Sequence, residues 1–221
     1  KHLYFKTILL CFCLLASINA FAEAVEIDGI YYNLVTKIKE AEVTKNPNKY
    51  IGTVNIPRTV TYNDVTYSVT SIGEDAFYFC SGLTSVTIGN GVKSIGNYAF
   101  YYCSSLTSVS IGNSVTSIGD HAFGVCSGLT SVTLNSNAIA SKKYTLSSSL
   151  GNVFGQQVKT YILGDEVTSI GDWAFYDCSG LTSVTIGNSV TSIGSSAFDG
   201  CSGLTSITIP NSVRHIRDSA F

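Results

Sequence analysis

Five cysteines stand at one place in a recurring pattern: Cys80, Cys103, Cys126, Cys178 and Cys201. They lie 23 residues apart, except for one gap of 52. A file of sulfur at fixed spacing could do two kinds of chemistry, pairing into disulfides or holding a soft metal such as zinc. No Cys-x-x-Cys pair occurs, and three histidines are too few to complete zinc ligand sets. Small side chains recurring at an inward position fit packed free thiols better. Their odd number would leave one unpaired even in an oxidising compartment. No metal site and no cofactor is expected.

Other reactive residue types also follow the pattern. Asp120, Asp172 and Asp218 recur at equivalent positions. A carboxylate pair could hydrolyse a glycoside, but capping of a short helical turn accounts for the same positions. His121 and His215 occupy unrelated positions, and neither has a serine and an acid arranged around it. The serines belong to the repeat, so no Ser-His-Asp triad is indicated. The glycines repeat too, and none opens a phosphate loop. No enzyme is expected.

Surface chemistry remains. Aromatic residues vary between copies around one short turn: Tyr78, Phe79, Tyr98, Tyr101, Tyr102, His121, Trp173 and Tyr176. Partly exposed Tyr and Trp are common binding anchors. Tyr78, Tyr98, Tyr101, Tyr102, His121, Trp173 and Tyr176 are therefore the candidate contact residues. The irregular segment 135–152 is the second choice, because insertions in repeats map to surface loops. A further row, Ser85, Thr87, Ser108, Ser110, Ser131, Thr133, Ser183, Thr185, Ser206 and Thr208, reads as a flat, uncharged hydroxyl surface. Solubility and strand propensity account for it.

These positions are set by a repeat that reads L-T-S-V-T-I-G-N-S-V-T-S-I-G-D-x-A-F-x-x-C-S-G. Leu83, Val86, Ile88, Val92, Ile95, Ala99, Phe100 and Cys103 mark its apolar sites in one copy. Val86 and Ile88 are two apart, the strand period. Asn97, Asp120, Asp172 and Ser195 stand where a helix N-cap belongs, ahead of Ala-Phe. Each copy thus reads as a strand, a corner, a short extended piece and one helical turn. The gap of 52 holds an irregular copy, in which Leu150-Gly151 and Phe154 shorten the Ile-Gly-x-x-Ala-Phe signature. So small a unit cannot bury its apolar face alone. Stacking makes one continuous core, with ladders of Phe77, Phe100, Phe123, Phe175 and Phe198 and of the five cysteines. At about 4.8 Å between strands, such a stack extends on the order of 30 Å.

The pattern resembles the leucine-rich repeats of the BspA-like family, found in bacterial surface proteins and in some mucosal parasites. The matching segments are 83–103, 106–126, 181–201 and 204–221, with a degenerate copy around 158–178 and an earlier one near 52–82. The resemblance implies a β-rich solenoid with one parallel sheet, short strands and single helical or 3₁₀ turns. The chain departs from the general pattern at one place. Asn90, Asn113, Asn188 and Asn211 fall one position earlier than the usual asparagine. That shift favours an exposed corner role over a buried asparagine ladder.

The expected organisation is a signal peptide over 1–22, an N-terminal β cap over 23–51 with cap features to about 70, and a solenoid over 52–221 that looks cut at its C-terminal end. Lys1, His2 and Lys6 precede an apolar run from Thr7 to Ser17, then Ala20-Phe21-Ala22. That run is too short to span a bilayer, and no membrane span is expected in the mature chain. The cap is read from two strand-turn-strand patterns, around Asp28-Gly29 and Asn63-Asp64. The uncovered last repeat is an expected surface for self-association. Removing Lys1 and Lys6 from 13 basic residues leaves 11 against 15 acidic ones, with no clustered basic face for nucleic acid. The expectation is a secreted or cell-surface binding module for a host or surface protein or glycan. Related proteins act as adhesins, which extends here only by resemblance. The alternatives are a structural spacer for a C-terminal domain and, last, an enzyme.

Overall fold

The computed structural model describes residues 24–221, so the expected signal peptide lies outside the described residues. Two hairpins open the chain. β1 (Val25–Ile27) and β2 (Ile30–Val35) close on Asp28 and Gly29, with φ of 51° and 80°. β5 (Thr59–Tyr62) and β6 (Val65–Ile72) close on Asn63 and Asp64, with φ of 48° and 62°. Two successive left-handed residues give the turn that matches strand twist, and Asn, Asp and Gly tolerate it. β3 (Glu40–Val43) runs antiparallel to β2 and parallel to β6, tying the first hairpin to the stack.

The stack is a solenoid. Its main face is a six-stranded parallel sheet, in spatial order β4 (Gly52–Ile56), β7 (Leu83–Ile88), β9 (Ser108–Ile111), β11 (Ser131–Leu134), β12 (Thr160–Leu163) and β14 (Ser183–Thr185). Val86, Val109, Val132, Tyr161 and Val184 align across it. The second face continues β6 with the two-residue strands β8 (Ser94–Ile95) and β10 (Ser117–Ile118). It resumes beyond the irregular coil as β13 (Ser169–Ile170), β15 (Ser192–Ile193) and β16 (His215–Ile216).

Between the faces lies one continuous core. Phe77, Phe100 and Phe123 stack at 4.6 and 4.9 Å between ring centroids, and Phe175 and Phe198 stack at 4.9 Å. Tyr50 starts this file beneath the first coil, 4.4 Å from Phe77. The same residue covers the sulfur file, donating its N–H to the Cys80 sulfur at 3.4 Å. All five cysteines are buried free thiols. Cys103, Cys126 and Cys201 donate to the carbonyls of Phe77, Phe100 and Phe175 in the coil below, at 3.0 to 3.1 Å.

The expected N-caps act differently. The Asn97 side chain accepts the N–H of Asp120, and that of Asp172 accepts the N–H of Ser195, each one coil on. The strand-side asparagines take the corner role, and Asn90 accepts the N–H of Asn113. These oxygens bind coil to coil because the turns satisfy their own N–H groups through close i−3 carbonyls, such as Ala99 N–H to Gly96 O.

The irregular coil spans 29 residues, from Leu129 to Gln157, and holds α1 (Asn137–Ala140) and α2 (Leu150–Phe154). Its alignment differs from the sequence expectation. Ala140, not Leu150, takes the Ile slot, accepting the Gly171 N–H as Ile72 accepts that of Gly96. Leu150 takes the backbone slot of the ladder phenylalanines, donating to Ala174 O as Phe100 donates to Ala122 O. Phe154 then supplies the ring from one helical turn later, 4.9 Å from Phe123. Tyr161 bridges onward to Phe175 at 4.9 Å. Gly155 takes the missing cysteine's backbone place, accepting the Val158 N–H as Cys103 accepts that of Leu106, and Gln157 donates to the carbonyls of Cys126 and Phe154.

Candidate functional site

The candidate residues sit on the helical-turn ridge, where two slots per coil adopt positive φ. Asp75, Tyr98, His121, Trp173 and Ser196 fill one slot, with φ between 50° and 56°. Phe79, Tyr102, Val125 and Asp177 fill the other, with φ between 56° and 60°. The two left-handed residues, four apart, bracket the turn, and every second N–H across it points to the next coil. Tyr98, Phe100 and Tyr102 thus donate to Asp120, Ala122 and Gly124 at 2.7 to 3.0 Å. The left-handed backbone is imposed by this ladder, although for bulky residues it costs roughly 1–2 kcal/mol each.

Gly, Asn or Asp would fill such slots at less cost, as Gly200 does at the equivalent of Tyr102. In the first three coils Phe79, Tyr98, Tyr102 and His121 instead put aromatic rings in four of the six slots. Phe79 stacks on Tyr102 at 4.5 Å, Tyr78 on Tyr101 at 5.8 Å and Tyr98 on His121 at 5.5 Å. Edge contacts join the columns: Tyr98 meets Tyr101 at 5.3 Å, and Tyr101 meets Tyr102 at 4.9 Å. The result is one patch in which Phe79, Tyr98 and Tyr102 keep 46%, 37% and 39% exposure. Its stacked rings lie within 19° of parallel. One face of each stacked ring is therefore taken by its neighbour in the adjoining coil.

Five of the seven sequence-derived candidates meet in this patch: Tyr78, Tyr98, Tyr101, Tyr102 and His121. Trp173 and Tyr176 lie beyond the irregular coil. There Trp173 is half-buried against the core, with the Lys143 ammonium 5.7 Å from its ring. Phe79 belongs to the patch, and Val125 extends its column with 49% exposure. Both were findable as the Tyr102 slot of their coils. Gly124 is the counterpart of Tyr78 and Tyr101, and a Cβ there would lie 2.6 Å from the Tyr101 ring. Its bare backbone is what seats Tyr101.

The other reactive groups are engaged in structure. The neighbouring Cys126 thiol, together with burial, pushes the Cys103 thiol far above its ordinary range. Burial raises Cys178 to about 11 and Cys201 to about 12. Thiols held neutral in this way are poor nucleophiles and poor metal ligands. Among the described residues no three His, Cys, Asp or Glu side chains converge as a metal site. Asp172 pairs with Lys143 at 3.7 Å and Arg217 at 4.0 Å. On the hydroxyl face Ser85 and Ser108 bond each other at 3.0 Å, and exposed Ile162 interrupts the row. No described helix is long and apolar enough to cross a membrane.

Comparison with known proteins agrees with this architecture. The BspA type leucine rich repeat region model matches residues 54–154 and 154–221, in six copies. A leucine-rich repeat protein from Bacteroides ovatus is 32% identical, with a TM-score of 0.51, over 89% of this chain and 50% of its own. One from Eubacterium ventriosum is 25% identical, with a TM-score of 0.59, over 90% of this chain and 49% of its own. The chain thus spans about half the length of both structures. The T. pallidum leucine rich repeat protein shares the fold at 23% identity and a TM-score of 0.53, over 88% of this chain and 86% of its own. No curated protein matches the chain. Sequence period, stacked coils and family model agree: the chain belongs to the BspA type leucine rich repeat family.

Proposed function

We propose that the chain is an exported, surface-exposed binding module whose aromatic patch recognises a protein partner. The observation that carries this reading is the occupancy of the left-handed slots. Phe79, Tyr98, Tyr102 and His121 hold a backbone conformation that smaller residues accept at less cost. Side chains kept against a backbone preference are explained by what they contact. Tyrosine supplies rigid apolar area with a hydrogen-bonding tip, which suits a protein surface. Recognition of sugars by aromatics uses open ring faces, and here one face of each stacked ring is taken by its neighbour. This favours protein over glycan as the partner class. The leader-like N-terminal sequence supports export. Adhesion is the biological role this reading favours.

Parallel binding of the full chain to arrays of extracellular proteins and of glycans tests the proposal. Saturable binding to protein spots, and not to glycans, is expected. Binding confined to glycans would refute it. Absence of binding on both arrays would favour the alternative role of a spacer, in which the rings only stabilise the stack.

A further inference from the structure

The main sheet stops one strand early. Ser206-Ile207-Thr208-Ile209 has the same alternation as Ser183-Val184-Thr185-Ile186, yet it forms no strand. Among the described residues, no backbone hydrogen bond joins 205–209 to 182–186. The carbonyls of Thr84, Thr107, Thr130 and Lys159 each accept an N–H from the coil above, and that of Thr182 does not. The other face of the same coil remains docked, with His215 and Ile216 paired to Ser192 and Ile193. The last coil therefore lifts off on one side only.

Pro210 explains the lift. It stands at the slot of Gly89, Asn135 and Gly164, whose N–H groups bond the Ile56, Ile111 and Leu134 carbonyls at 3.0 to 3.1 Å, but Gly112 and Gly187 fill the same slot in docked coils without that bond, so the proline acts through the bulk of its ring. Asn135 shows that the slot accepts a side chain. Proline has no N–H, and its ring carbon sits where that proton would point at the carbonyl below. Pro57 fills the same slot in the first coil, where no earlier coil of the sheet lies beneath it. Further observations mark the opening. Ser212 has a buried hydroxyl with no partner, whereas its counterpart Ser114 donates to Asn90 O at 2.7 Å. Val184 is 8% exposed, whereas Val86 is fully buried.

The lift leaves a groove of about 640 Å³ between β14 and residues 206–211. Its lining includes Thr182, Thr185, Asn188, Ser206, Thr208 and Asn211, with no charged residue. One wall is an open parallel strand edge. Unpaired backbone amides and carbonyls at strand spacing match one kind of ligand, another extended polypeptide. We infer that the β14 edge is a second binding site, which accepts an extended, uncharged segment of a partner protein by strand addition. This site is separate from the aromatic patch, and substitutions in the patch leave it intact.

The test is fluorescence anisotropy on the full chain with a labelled, end-blocked octapeptide, Leu-Thr-Ser-Val-Thr-Ile-Gly-Asn. This sequence occurs at 83–90 and 181–188 and already pairs in parallel within the sheet. Saturable binding is expected. Pro210→Gly removes the ring, closes the groove, and should weaken binding at least tenfold while raising Tm. Pro57→Gly should leave binding unchanged. Methylating alternate peptide amides should abolish binding for one of the two alternations only, which keeps the test decisive if Pro210→Gly folds poorly. No saturable binding, or equal binding by the wild type and a folded Pro210→Gly, overturns the proposal. So does self-association of the chain through this edge in place of peptide binding, read by sedimentation velocity.

Discussion

The His121 imidazole lies over the Tyr98 ring, 5.5 Å between centroids and 19° from parallel, and both residues hold left-handed backbone. The contact spans two coils, so it contributes to the stack as well as to the surface. An aromatic pair of this kind contributes about 0.5–1.5 kcal/mol. Relief of a left-handed residue is of similar size. Tyr98→Asn should therefore leave the urea midpoint nearly unchanged, because the two effects offset, while binding through the patch falls. A loss of more than about 2 kcal/mol would mean that the ring's main role is structural.

Coil spacing depends on the glycine after the conserved isoleucine. A Cβ on Gly119 would fall 2.6 Å from the Asn97 nitrogen and 2.7 Å from the Gly96 carbonyl carbon. Backbone cannot yield as a flexible side chain does. Gly119→Ala should cost about 1–3 kcal/mol by urea denaturation, the usual range for overpacking. An unchanged midpoint would contradict the close stacking described here.

The buried thiols predict alkaline instability. Cys80, Cys178 and Cys201 have folded pKa values above the ordinary value of 9.0, at about 11 for Cys178 and about 12 for Cys201, with burial as the main cause. The protonated form is thus favoured in the folded state. Stability is fully present below pH 9 and is lost as pH rises through 11 and 12. Buried Tyr144 and Tyr161 act in the same direction, again through burial. Thermal melts should show Tm falling above pH 9, and thiol reagents should label the native protein slowly and the unfolded protein fast. Fast labelling of the native chain would overturn the buried sulfur ladder.

Gln157 ties the irregular coil to the coil below, two residues past the place where the cysteine is missing. Its amide donates to Cys126 O at 2.9 Å and to Phe154 O at 3.1 Å. Gln157→Ala leaves Cys126 O with only the Leu129 N–H and takes the amide from Phe154 O, and should cost about 1–3 kcal/mol. Gln157→Glu should cost at least as much at neutral pH, because an ionised carboxylate cannot donate to a carbonyl. Tolerance of both changes would show that solvent reaches this site.

The regular coils were legible because each repeats the same apolar sites, so Phe77 through Phe198 and the cysteines align without structural knowledge. The irregular coil was not, because its slots are assigned by backbone partners. Only the Gly171 N–H on Ala140 O, and the Leu150 N–H on Ala174 O, show that the isoleucine and phenylalanine places are filled ten residues apart. The left-handed slots were hidden for the opposite reason. They hold Tyr98, Tyr102 and His121, where sequence rules look for Gly or Asn. The patch was half legible. Residue types marked its members, but the missing link from Tyr102 to Trp173 depends on how the irregular coil folds. Pro210 was visible as a proline, but its effect required knowing that its slot packs against the carbonyls of the coil below.

The central claim is that the patch, and not the hydroxyl sheet, is the primary contact surface. The direct measurement is surface plasmon resonance against a protein ligand identified on the extracellular array, comparing Tyr102→Asn with Thr87→Ala. Tyr102 is exposed on the turn ridge, and Thr87 is exposed on the outer face of β7. Tyr102→Asn should weaken Kd at least tenfold, the loss typical of an aromatic anchor, and Thr87→Ala should leave it within twofold. Wild-type affinity in Tyr102→Asn, with the loss falling on Thr87→Ala, would contradict the account and move the contact surface to the sheet.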